Sequence, residues 1–231
     1  MGIAKMAAVL AAGVLVGWPG MAVGGAQSAC ADLGGALDGE QTCRVHAATS
    51  TYSLDYSFPA GYPDEQAVAA YLTQTRDGFV NVSQTPGNRD LPYVLDAKGT
   101  TYHSGMAPKG TQSLVFEVYQ NVGGAHPSTW FKAFNYNLDG QRPVTFDNLF
   151  KPGTLPLDTI YPIVQREVQR QLGPDVAIAP ENGMNADNYQ NFAISDDAVV
   201  FFFGQGELMA SAAGANQVSV PRAAIAQMLA V

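Results

Sequence analysis

The chain has 231 residues, of which 47% are hydrophobic and only 14% charged, with 24 glycines and 14 prolines. That charged share lies well below the roughly 25% of an average soluble protein, which excludes a disordered acidic tail or a long solvated helix. With 20 acidic residues against 12 basic ones the net charge is −8, so nothing grips a phosphate backbone and nucleic-acid binding is disfavoured.

Residues 1–26 read as a signal peptide. Lys5 is their single charge, an apolar run follows from Met6 to Val16, and Trp18-Pro19-Gly20 breaks it. Gly24 and Ala26 suit the small-residue positions of a cleavage site after Ala26, and cutting after Gly24 or Ser28 is also compatible. An uncleaved anchor would need roughly 20 apolar residues, and this run is too short. A lipoprotein would want an aliphatic residue three places before Cys30, where Gln27 stands. Cleavage removes Lys5 and leaves a more acidic chain, expected to be secreted, with no apolar stretch able to cross a membrane. Both cysteines, Cys30 and Cys43, survive it, and in an exported chain they are expected to form one disulfide. It would pin the Gly-, Asp- and Ala-rich segment from Ala31 to Gln41.

Along the rest, Leu54, Tyr56 and Phe58 alternate with Ser53, Asp55 and Ser57, the period of a half-buried strand. After Pro59–Pro63, Asp64 is placed to cap a helix with the stripe Val68, Tyr71, Leu72, Thr75, Phe79 and Val82. Tyr93, Leu95 and Ala97 start a second strand that continues toward Tyr102. Leu114–Gln120 and Thr129–Leu138 are rich in β-branched and aromatic residues and predict two more strands, joined by Gly123-Gly124-Ala125-His126-Pro127. Short apolar pieces follow at Val144–Phe146 and Leu149–Phe150. Asp158 is expected to cap a second helix with Ile160, Ile163, Val164, Val168 and Leu172 inward, Pro162 falling near its first turn. Phe192–Ile194 and Val199–Phe203 predict a hairpin around Asp196-Asp197. Val218–Val220 is a last strand, and Pro221 opens a terminal helix through Leu229. The order β-α-β-β-β-α-β-β-β-α predicts an α+β fold, antiparallel sheets with two main amphipathic helices and a short C-terminal helix.

The histidines, His46, His103 and His126, fall in separate segments, and none stands in HExxH. No serine lies in a GxSxG elbow, Gly204-Gln-Gly206 lacks the third glycine of a dinucleotide loop, and no metal-ligand spacing is present. His126 is the residue best held for chemistry, because Gly123 and Gly124 permit a tight connection and Pro127 extends the backbone before it. It could act as a general base with Ser128 or Ser104 as nucleophile. The favoured reading is a structural loop whose imidazole bonds to nearby backbone. Trp130, Phe134 and Tyr136 on one strand face read as core.

The runs YPDEQAVAAYLTQTRDGFV, PKGTQSLVFEVYQNVGGAHPSTWFKAFNYN, NYQNFAISDDAVVFFFGQGEL and VSVPRAAI resemble the mycobacterial secreted immunogenic antigen family, from about Cys30 to the C-terminus. From about Gly110 onward the chain also resembles the RsiV-like extracellular domain of lysozyme-sensing anti-sigma factors, which occurs beside peptidoglycan deacetylases too. The marks are Gly123–Pro127, Phe201–Phe203 and Val218–Pro221. The resemblance implies a secreted, non-enzymatic immunogenic protein without cofactor, metal or catalytic residues, and with Gly123, Gly124, His126 and Pro127 as a structural loop motif. The expected organisation is a signal peptide over 1–26, an α+β lobe over 27–109 with a disulfide-pinned start, and an RsiV-like lobe over 110–231. The expected role of this monomer is binding a host or extracellular protein, with a basic lysozyme-like partner as the concrete candidate, since acidic charge steers toward basic partners. The alternatives are a secreted hydrolase using His126 and a surface- or lipid-associating protein.

Overall fold

A computed structural model describes residues 30–39, 41–85, 90–124 and 126–231; the expected signal peptide lies outside the described residues. Seven strands form one sheet in chain order: β1 (Ala36–Leu37), β2 (Thr42–Ala48), β3 (Tyr52–Pro59), β4 (Tyr93–Ser104), β5 (Thr111–Asn121), β6 (Ser128–Asn137) and β7 (Arg142–Pro143). All neighbours are antiparallel except β3 and β4, which run parallel. A parallel pair needs a crossover, and α1 (Glu65–Ser83) supplies it. Asp64 caps this helix by accepting from the Ala67 amide at 3.2 Å. Its buried residues Val68, Leu72 and Phe79 pack on Leu54, Tyr56, Leu95, Leu114 and Phe116, and the Tyr56 hydroxyl donates to the Leu72 carbonyl at 3.3 Å. Val82, expected on the inward stripe, is exposed, while the next residue, Ser83, is buried and takes the inward position of the last turn.

The second layer pair is built on β8 (Phe192–Ile194), β9 (Ala198–Phe203) and β10 (Asn216–Pro221), in the antiparallel order β10-β9-β8. Alternate residues of β9 face opposite ways. Val199, Phe201 and Phe203 join a core with Ile160, Val164 and Val168 of α3 (Pro156–Leu172), while Val200 and Phe202 pack on the large sheet at Val115, Tyr102, Phe131 and Ala133. Four layers result: α1, the seven-stranded sheet, the three-stranded sheet and α3. Side chains stitch the two sheets together. Ser113 Oγ accepts from the Ile194 amide at 3.1 Å, Asn135 Nδ2 donates to the Phe192 carbonyl at 2.9 Å, and Asn191 Oδ1 accepts from the Ala133 amide at 3.0 Å.

Several boundaries differ from the sequence reading. The segment before Ser53, left without a strand, holds β1 and β2. α3 starts at Pro156, a residue pre-organised for the first helical turn, so Pro162 sits inside the helix. Thr145 and Asn148 hold a short α2 (Phe146–Leu149), the Asn148 side chain accepting from the Thr145 amide at 3.0 Å; a further single turn, α4, spans Pro180–Gly183. The terminal helix α5 covers only Arg222–Ile225, because Leu229 is drawn into a bridge with Phe150 and the Ala230 amide donates to Leu149. The 109/110 boundary falls in the turn joining β4 to β5, two strands paired from Val94↔Asn121 to Ser104↔Thr111. The hydrophobic cores part further along, between β6 and α2. Among the described residues no helix is long and apolar enough to cross a membrane.

Cys30 and Cys43 are bonded and buried, which ties the first described turn to β2. Closing a loop of this size contributes about 3 kcal/mol by restricting the unfolded chain. Replacing both cysteines by alanine is expected to lower the unfolding free energy by about that amount, read from the urea midpoint. An unchanged midpoint would mean that the core alone orders this segment.

Candidate functional site

The three-stranded sheet covers the large sheet on its β5–β6 side, including the second half of β4, and leaves the outward face of β2, β3 and the first half of β4 open. Strand alternation turns Val45, Leu54, Tyr56, Leu95 and Ala97 toward α1 and sends the polar residues between them outward. The pairing register sets those polar residues in two rows across the strands. One row is His46 on β2, Asp55 on β3 and Asp96 on β4, and the other is Arg44, Ser57 and Lys98. These six side chains line an open depression of about 400 Å³. On the α1 side, by contrast, the cavity beside Phe58, Tyr62 and Leu114 measures about 10 Å³, room for about one water.

His46 Nδ1 lies 2.7 Å from Asp55 Oδ1. A carboxylate accepts, so Nδ1 donates, and in a neutral imidazole held this way Nε2 is the nitrogen left to take a proton, as a general base requires. Ser57 is the diagonal neighbour of His46 across the strand pair, a position typically about 7 Å off at the backbone and within reach of an aromatic ring. Arg44 Nη1 donates to Ser57 Oγ at 3.4 Å, and its Nε is held by Asp38 Oδ2 at 2.9 Å. Asp38 is anchored in turn by the Thr42 amide at 2.9 Å. Partial burial, together with the Asp55 carboxylate beside it, raises the Asp96 carboxyl above its ordinary range. Among the described residues no group of three His, Cys, Asp or Glu is arranged to hold a metal ion.

The residues singled out from sequence lie elsewhere. His126 and Ser128 are both exposed at the β5–β6 connection, outside the depression. Gly123 there takes φ 66° and donates its amide to Asn121 Oδ1 at 2.9 Å. Ser104 cannot meet His126: it pairs with Thr111, at the far end of β5, roughly 30 Å of strand away. It is buried under Arg222, whose Nη1 donates to Ser104 Oγ at 2.8 Å. His103 is exposed on β4. Trp130, Phe134 and Tyr136 pack half-buried against the α1 core, with Trp130 Nε1 donating to the Tyr71 hydroxyl at 2.9 Å. The sequence names His46, Asp55 and Ser57 separately but does not group them, because the mixed pattern of β2 does not read as a strand. The signal was present in the spacing of Arg44-x-His46 and Asp55-x-Ser57 about Thr49-Ser50-Thr51, where Thr49 Oγ1 accepts from the Thr51 and Tyr52 amides.

A protein named esterase Rv3036c from Mycobacterium tuberculosis is 56% identical, the match covering 94% of this chain and 95% of that protein. Immunogenic protein MPB64 from Mycobacterium bovis is 42% identical over 98% of this chain and 99% of its own length. The chain belongs to the mycobacterial immunogenic antigen family. A family model described as a protein of unknown function, DUF3298, matches residues 147–223, which run from α2 to α5. The crystal structure of a DUF3298 family member from Bacteroides fragilis superposes with a TM-score of 0.55 at 12% identity, covering 85% of this chain and 95% of that one, so the α+β fold is shared. The expectation of a non-enzymatic chain is corrected by the esterase among these relatives. Its basis was the family resemblance together with the lack of sequence-local signatures, and side chains brought together across strands leave no such signature.

A carboxyl whose folded pKa is raised favours the fold while protonated and loses that contribution as pH rises through the folded value. Asp96→Asn, which imitates the protonated form, is therefore expected to melt higher than the unmodified chain at pH 7. The gap should close as pH falls below the ordinary carboxylate range of about 4. Paired thermal melts across that range check it, and a gap independent of pH would remove the electrostatic cause.

Proposed function

We propose that this chain is an exported, immunogenic ester hydrolase working on the open face of β2–β4, with His46 as general base, Asp55 as its orienting partner and Ser57 as nucleophile. The observation that carries the reading is the 2.7 Å contact of His46 Nδ1 with Asp55, which leaves Nε2 as the basic nitrogen over an accessible polar depression. The esterase and MPB64 relatives support hydrolysis and immunogenicity respectively, and the leader-like first 26 residues with the Cys30–Cys43 bond support export.

The reaction runs in two halves. Ser57 Oγ attacks the ester carbonyl carbon as its proton passes to His46 Nε2, and the carbonyl oxygen becomes an oxyanion. Arg44, already within 3.4 Å of Ser57 Oγ, stands where that negative charge develops. Collapse of the adduct expels the alcohol, which takes the proton from His46, and leaves an acyl group on Ser57. Water, deprotonated by His46, then attacks the acyl carbon, releases the acid and returns the proton to Ser57. The side chains of His46 and Asp55 are 67% and 56% exposed, so water reaches the intermediate without a lid.

His46→Ala and Ser57→Ala are each expected to lower kcat/KM on a short 4-nitrophenyl ester by about 10²–10⁴-fold, with unchanged circular dichroism. His126→Ala should leave turnover intact. Full activity in His46→Ala would end the reading, whereas loss only in His126→Ala would move the chemistry to the β5–β6 loop.

A further inference from the structure

Resting on that reading, we infer that the row Arg44–Ser57–Lys98 makes the site selective for esters whose acyl part ends in a carboxylate, half-esters of dicarboxylic acids. Ser57 is bracketed by two cations in register, Arg44 opposite it on β2 and Lys98 opposite it on β4. The two are not equivalent. Arg44 is committed to Asp38 through Nε and to Ser57 through Nη1. Lys98 is exposed and lines the depression, and its ammonium makes no hydrogen bond or ion pair among the described residues. An uncommitted ammonium beside an attacking hydroxyl is a receptor for a negative group on the substrate.

Geometry fixes where that group sits. Adjacent strands lie about 5 Å apart, so the Lys98 backbone flanks that of Ser57 and its side chain reaches outward from there. A carboxylate two methylenes beyond the attacked carbonyl falls between the two positions. The neighbours fix how much charge is accepted. Asp96 lies two residues before Lys98 on the same face of β4, and Glu117 faces Lys98 from β5. Asp55 and Asp96 occupy the parallel row, while Tyr119 follows Asp96 on β5. Among these carboxylates one ammonium suits a single negative charge and leaves a dianion unfavoured. The acyl end is the one selected, because the leaving alcohol departs on the side of His46, beside Asp55.

The test compares 4-nitrophenyl hemisuccinate with 4-nitrophenyl butyrate, which match in acyl length and differ in the terminal carboxylate. The unmodified protein should favour the hemisuccinate in kcat/KM at low salt, and that preference should shrink as salt screens it. Lys98→Gln should reduce the preference roughly fivefold, the scale of one exposed ion pair, Lys98→Arg should keep it and Lys98→Glu should reverse it. Equal or faster hydrolysis of the butyrate, or a ratio unmoved by Lys98→Gln, overturns the inference while leaving the hydrolase reading in place. Turnover of both esters that survives His46→Ala overturns the reading itself, and hydrolysis of neither removes both.

Discussion

In β9 every side chain from Val199 to Phe203 is buried, and a strand of that kind needs cover on both sides. α3 supplies one cover. The outward face of β4, β5 and β6 supplies the other, through Tyr102, Val115, Phe131 and Ala133. A three-stranded sheet is too narrow to blanket a seven-stranded one. The part of the face it leaves, on β2, β3 and the first half of β4, must be compatible with water, and there the outward positions become Arg44, His46, Asp55, Ser57, Asp96 and Lys98. The site is the remainder left by a packing problem.

Its charges are interleaved in a way that a flat, wet surface allows. Like charges directly opposite one another across strands are unfavourable, and Asp55 facing Asp96 is such a pair. His46 relieves it on one side by giving Asp55 a donor, while on the other partial burial first and the facing Asp55 second raise the affinity of Asp96 for its proton. Arg44 and Lys98 in the next row place positive charge within a few ångströms. In a chain with a net charge of −8, two cations flanking one serine are a local inversion of the overall field.

The sequence made the layered framework legible where periodicity was unambiguous. The α1 stripe, the long strands β4–β6 and the apolar β9 run follow from spacing and residue type alone. Failures cluster where long-range pairing decides. β2 has a mixed pattern, Thr42-Cys43-Arg44-Val45-His46-Ala47-Ala48, that forms a strand because β3 and the disulfide hold it. The parallel joining of β3 to β4 cannot be read from either strand, only from α1 lying between them. The candidate site depends on both of these, since His46 meets Asp55 through the first, and Asp96 faces Asp55 and Lys98 faces Ser57 through the second. His126 drew attention for the opposite reason: its glycines and proline are conspicuous locally, yet the loop they shape stands outside the depression.

β1 pairs with β2 only at Ala36↔Arg44 and Leu37↔Cys43. Beyond that point, among the described residues, no strand covers the outer edge of β2 from Val45 to Ala48. Open edges with apolar faces recruit strands from other molecules, and charged side chains on them discourage it. Arg44 and His46 stand on that edge strand. The residues that line the depression therefore also put charge on the exposed edge strand, which ties resistance to edge-to-edge pairing to the same side chains as the candidate site.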